Sequence, residues 1–119
     1  MKFRDYKYER LNYDKIKVEF EELIKNLDNS NSFKEVKKYI QEINKIRNDI
    51  STMSNLVSIR YSINTNDEFY SKEKEYFDEF SPKYEELDNI FYKSIVNSKF
   101  LKEIEKEALN HWKEIDGER

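Results

Sequence analysis

The chain has 119 residues, 22 basic and 25 acidic, with a net charge of −3, no Cys, one Gly and one Pro. That length makes one domain around one core. The missing Cys excludes disulfides and thiolate chemistry and suits a reducing cytoplasm, and the interleaved Lys and Glu leave no basic stripe for nucleic acid.

The N-terminus, with Lys2, Arg4, Asp5, Lys7, Glu9 and Arg10, has no apolar leader. No run nears the roughly 18 apolar residues of a membrane span, so a cytoplasmic protein with neither nucleic-acid nor membrane partners is expected. Nine Tyr and eight Phe make the apolar material bulky and predict an aromatic core. With Gly only at 117 and Pro only at 82, hairpins and α/β loops lack their usual punctuation. The predicted fold class is therefore all-α, an antiparallel bundle or hairpin of three long helices plus a short C-terminal helix, spanning 1–119 as a single domain.

Residues 1–10 read as an extended arm. A first helix over about 12–28 starts at Asn12 as N-cap, with Leu11 and Ile16 placed as a hydrophobic staple. Ile16, Phe20, Leu23 and Leu27 form its apolar stripe, and the Asp28, Asn29, Ser30, Asn31 cluster favours a turn. Ser32 and Glu35 make a capping box for a second helix over 32–64. Its stripe runs through Phe33, Val36, Ile40, Ile43, Ile46, Ile50, Met53 and Val57. Asn64 closes that helix, and Thr65 with Glu68 opens a third over 66–96, giving a tight antiparallel hairpin.

Phe69, Tyr76, Phe77, Phe80, Tyr84, Leu87, Phe91 and Ile95 keep one phase across Pro82, which favours a kink there over a break. The alternative is a fresh start with Ser81 as N-cap and Pro82 at N1. Asn97 and Ser98 should cap a fourth helix, 98–113, with Phe100, Leu101, Ile104, Leu109 and Trp112 on its apolar side and a frayed end at Gly117.

Candidate chemistry is sparse. The single His, His111, lacks the second imidazole one turn away that a helical zinc site needs, and it reads as a surface His pairing with Glu107. Carboxylates such as Glu19, Glu73, Asp78 and Glu103 abound, but nothing selects a catalytic pair. A di-iron bundle needs two Glu-x-x-His motifs, and without an internal Gly there is no phosphate-cradling loop. The rings of the third helix, with Tyr61, Tyr70 and Tyr92 beside them, read as core rather than a base-stacking platform. No catalytic, cofactor-binding or metal residue is assigned. Arg47 and Arg60 lie in otherwise apolar or small-residue stretches, where Arg commonly pairs with carboxylates inside a bundle or across an interface. Asp67 or Asp78 are the expected intra-bundle acceptors.

The opening MKFRDYKYER, the helix QEINKIRNDISTMSNLVSIRY, and above all SINTNDEFYSKEKEYFDEFSP followed by IFYKSIVNSKF carry a resemblance. They resemble the N-terminal helical region of oligoendopeptidase F-type zinc metallopeptidases, the group that includes the thimet-like oligopeptidases. The likeness runs from about Met1 to Glu107, is most specific at Thr65–Tyr70 and in the aromatic run to Pro82, and departs at ALNHWKEIDGER. The resemblance implies helices that form a wall or lid over a channel admitting short peptides. It also implies a separate C-terminal domain that supplies the zinc ligands and the catalytic Glu, none of which has a counterpart here. The reading is a non-catalytic lid or channel-wall segment without its own cofactor, zinc belonging to the complete family members. Its partner would be a missing catalytic domain or itself, and its short length would reflect trimming, a truncated gene or a free-standing remnant. The rival reading is a helical interaction module that self-associates or binds a partner helix.

Overall fold

A computed structural model describes the backbone of residues 8–117 and the side chains of 8–109. Four helices follow one another: α1 (Tyr13–Asp28), α2 (Phe33–Ile63), α3 (Glu68–Val96) and α4 (Leu101–Gly117). No strand occurs among the described residues, so the fold is all-α as the composition predicts.

Local chemistry places the helix ends. The Asn12 side chain accepts from Lys15 N at 3.2 Å and starts α1, while Leu11 and Ile16 pack into the same cluster, as a staple requires. Ser32 Oγ accepts from Glu35 N at 3.2 Å, but the Glu35 carboxylate returns to Asn31 N at 3.1 Å rather than to Ser32. The start of α3 differs from the expected Thr65 cap. Asp67 caps it, its carboxylate accepting from Phe69 N and Tyr70 N at 2.9 and 3.3 Å. A carboxylate is the better group there because it also meets the positive end of the helix dipole. Thr65 and Asn66 are left to the turn, which Asn64 closes by accepting from Asn66 N at 3.1 Å.

The α3 helix runs unbroken through Pro82. Proline frees the carbonyl four residues earlier, at Asp78, and both residues are exposed, so water can satisfy that group. Beyond α3, Ser98 Oγ accepts from Phe100 N at 3.1 Å. Helix α4 then begins at Leu101, three residues later than predicted, and its backbone stays helical to Gly117, where fraying was expected.

Two buried clusters make up the core. Phe20, Ile24 and Leu27 of α1 meet Val36 and Ile43 of α2 and Leu87 and Phe91 of α3. Ile50 and Val57 of α2 meet Phe77 and Phe80 of α3. The start of α2 thus lies beside the end of α3, the antiparallel hairpin that the short turn dictates. Phe20 meets Tyr84 and Phe91 edge to face, at 6.3 and 6.2 Å between ring centroids.

Helix lengths decide what covers the hairpin. At 1.5 Å per residue α2 is about 46 Å long and α1 only about 24 Å, so α1 cannot span the whole hairpin. Over the other half lies non-helical chain leading into α1, with Tyr8 and Leu11 packed on the second cluster. The result is elongated, 51 × 38 × 20 Å, with a radius of gyration of 17.0 Å against about 13.5 Å for a compact domain of this size.

Candidate functional site

Three polar stations are anchored on α3. The first is Arg47 on α2, whose Nε lies 3.2 Å from Asp88 Oδ1 on α3. These two atoms are buried and misaligned for a hydrogen bond, so their attraction is coulombic. Its other nitrogens donate to Asn44 Oδ1 at 2.9 Å and Tyr92 Oη at 2.6 Å. The guanidinium also stacks over the rings of Phe91 and Tyr92 at 5.5 and 5.3 Å. Burial works against the Arg47 charge more than any other single effect, but Asp88, Tyr92 and Tyr84 together outweigh it and the guanidinium pKa rises. The neighbouring Tyr84 phenol is pushed up to about 12, first by burial and then by the Asp88 charge.

The acceptor for Arg47 is therefore Asp88, in the bundle, and not Asp67 or Asp78. Asp67 is the α3 cap, and Asp78 pairs with Lys74 one turn away at 3.3 Å. Arg60 forms the second station, donating to Tyr70 Oη at 2.8 Å and lying 5.6 Å from that ring centroid.

The third station was not singled out from the sequence. Glu73 of α3 is only 3% exposed, in the middle of the apolar face. Its Oε1 accepts from Tyr8 Oη at 2.6 Å and from Arg10 Nε at 2.9 Å. Its Oε2 accepts from Arg10 Nε at 3.1 Å and from Arg10 Nη2 in a shorter contact. Tyr76 Oη donates to Leu11 O, and the Arg10 guanidinium stacks 4.5 Å from the Tyr76 ring centroid. The hydrogen bond from Arg10, reinforced by the one from Tyr8, holds the Glu73 carboxyl below its ordinary range against the opposing effect of burial. Burial, then the bond to Glu73, raises the Tyr8 phenol above its usual value. The available signal was phase: Glu73 lies four residues after Phe69 and four before Phe77, so it falls on their stripe.

Glu107 pairs with Lys37 and ties α4 to α2. The side chain of His111 lies outside the described residues, as does the backbone of residues 1–7 of the expected arm. Among the described residues no group of three or more His, Cys, Asp or Glu could hold a metal, and no helix is long and apolar enough to cross a membrane. Several large apolar side chains face outward, among them Ile59 and Ile63, one turn apart on α2, and Val96 at the end of α3.

The family model for the peptidase M3 N-terminal domain matches residues 3–115, extending past Glu107, where the resemblance was expected to end. Among solved structures, a PZ peptidase A with an inhibitor superposes with a TM-score of 0.85 at 38% identity, covering 89% of this chain and 19% of that one. A protein described as an oligoendopeptidase F from Bacillus anthracis str. Ames gives 0.87 at 40% identity, covering 90% and 20%. A 3.1 Å structure of an oligoendopeptidase F gives 0.85 at 38%, covering 89% and 19%. No curated protein sequence matches. The chain thus spans about a fifth of the length of the solved structures it resembles.

Proposed function

Because the chain belongs to the peptidase M3 N-terminal domain family, we propose that it is a non-catalytic helical segment forming part of the wall or lid of a peptide channel. The observation that carries this reading is the coverage: nine-tenths of this chain superposes on one-fifth of oligoendopeptidase-type structures. On this reading the zinc and the catalytic Glu belong to the remaining four-fifths, and the partner of this chain is that catalytic region. The outward Ile59 and Ile63, one turn apart on α2, support it, since a segment that packs on more protein needs apolar surface outside its own core. The proposed setting is the cytoplasm.

Mixing the purified chain with an oligoendopeptidase F catalytic region lacking its N-terminal fifth tests this proposal. The two should co-elute in size-exclusion chromatography, and cleavage of a short fluorogenic peptide should rise while a folded protein remains uncut. No association at 100-fold excess of either component, or peptide cleavage by this chain alone, would overturn the reading.

A further inference from the structure

The strap of residues 8–11 lies on α3 differently from the way the helices lie on one another. Its backbone makes few hydrogen bonds of its own: Glu9 N points at the Met53 sulfur at 3.4 Å, and Leu11 O accepts from the Tyr76 hydroxyl. Its side chains do the reading. The Tyr8 ring fits edge-on among Phe69, Tyr70 and Phe77 at centroid distances of 6.0, 6.1 and 6.4 Å. Two residues on, Arg10 delivers a planar fork to Glu73 while stacking on Tyr76.

Both donors converge on one carboxylate, which is 3% exposed with the strap seated over it. Every hydrogen bond that described residues make to the Glu73 side chain comes from Tyr8 or Arg10. The floor is built the other way round: the aromatic wall, the Tyr76 ring and the carboxylate are all contributed by α3, and α2 adds Met53. Such a floor selects a chemistry. A ring bearing a hydroxyl followed two residues later by a guanidinium matches it, because extended chain puts those side chains on one side, and a carboxylate that the seated segment covers to 3% exposure strongly favours a segment that pairs with it.

We propose that the groove formed by Met53, Phe69, Glu73, Tyr76 and Phe77 is a recognition site for an extended Tyr-x-Arg segment. Residues 8–10 fill it in cis, and the same segment of another chain can fill it in trans. The inference is independent of the peptidase reading, since it rests only on how α2 and α3 hold the strap. The site behaves as a conformational selector: while the chain's own segment is seated, an incoming one competes against a high effective concentration.

The test uses the full chain with Y8A/R10A substitutions, which remove the two side chains that fill the site, and a fluorescein-labelled capped peptide carrying the sequence of residues 7–12. Fluorescence anisotropy should show the peptide binding Y8A/R10A at least tenfold more tightly than the wild-type chain. Replacing Tyr by Phe, or Arg by Lys, in the peptide should each weaken binding about tenfold, the equivalent of one charge-assisted hydrogen bond. Adding E73Q to the receptor should weaken it by at least as much. Circular dichroism establishes that the receptor is folded. If Y8A/R10A does not fold, the full chain carrying Y8F/R10K, which keeps the ring and the charge, is the receptor, and it too should bind the native peptide more tightly than the wild type does. A folded receptor that ignores the peptide at millimolar concentration, or that binds a doubly Ala-substituted peptide equally well, overturns the proposal.

Discussion

Replacing Arg10 by Met isolates the contribution of the Glu73 pair, because Met preserves most of the aliphatic stem and removes the fork. The lost contact comprises charge-assisted hydrogen bonds, each worth about 1.5–3 kcal/mol, and leaves a buried carboxylate with only Tyr8. The Arg10 side chain is 52% exposed, so solvent screens the pair and the lower end of that range applies. R10M should cost about 2–3 kcal/mol, lowering the melting temperature by roughly 10 °C for a domain of this size. Substituting Glu73 as well, in R10M/E73L, removes the orphaned charge and supplies an apolar group in phase with Phe69 and Phe77. The half-buried Tyr8 hydroxyl can then turn to water. The double variant should therefore lie within about 1 kcal/mol of the wild type, a coupling of about 2 kcal/mol in a double-mutant cycle.

The acid dependence follows from the lowered pKa of Glu73. A depressed folded value means that the pair stabilises the fold fully above the unfolded carboxyl value of about 4.3 and loses that contribution as pH falls through the folded value. Urea titrations should give a constant gap between wild type and R10M from pH 5 to 8, closing towards pH 3. Additive single substitutions, or a gap that acid leaves unchanged, would refute the assignment of Glu73 as a charged, core-facing anchor for the strap.

The other expectations concern the frame. Phe20 is fully buried between Tyr84 and Phe91, so F20A should cost about 3–5 kcal/mol in denaturant titrations; a loss under 1 kcal/mol would mean that the junction of α1, α2 and α3 is loosely packed. D67A should cost about 1 kcal/mol and T65A almost nothing, because Asp67 and not Thr65 accepts the first amides of α3; equal losses would return the cap to Thr65. At the exposed Pro82 the helix continues without its ring-blocked hydrogen bond, so P82A should stabilise by about 1–3 kcal/mol in thermal melts, and destabilisation would show that the proline shapes the fold. In an ultraviolet titration Tyr84 should ionise only near pH 12 and should move down in D88N, since the Asp88 charge reinforces the effect of burial. A Tyr84 transition near pH 10 in the wild type would contradict that geometry.

Periodicity and capping made most of the frame legible. Asn12 and Ser32 are short polar side chains directly ahead of apolar repeats, and their caps form as local chemistry requires. The Phe77, Phe80, Leu87 and Phe91 series is buried as its spacing predicts, because residues three and four apart share a helix face whatever lies opposite. At Thr65 local competition decides: several polar residues in a row can each cap α3, and only the backbone path of the turn selects Asp67. Ile24, 5% exposed, lies beside the predicted α1 stripe rather than on it, since a stripe one residue wide misses the second flank that two neighbouring helices bury.

The polar partners were legible only in type. Arg47 among apolar neighbours announces a need for an acceptor, and the chain offers many carboxylates at helical spacing. Which one answers depends on the register of α3 against α2, and that register brings Asp88 to it while Asp78 faces out to Lys74. Glu73 looked like one acid among many because the residues that neutralise it stand 63 and 65 positions away in the sequence. Helical class, element order and the aromatic core are properties of neighbours along the chain, so the sequence by itself determined them. The strap over Glu73, the choice of Asp88 and the outward faces of Ile59 and Ile63 depend on which surfaces meet once a short α1 leaves half of a long hairpin uncovered, and only the tertiary structure decided those.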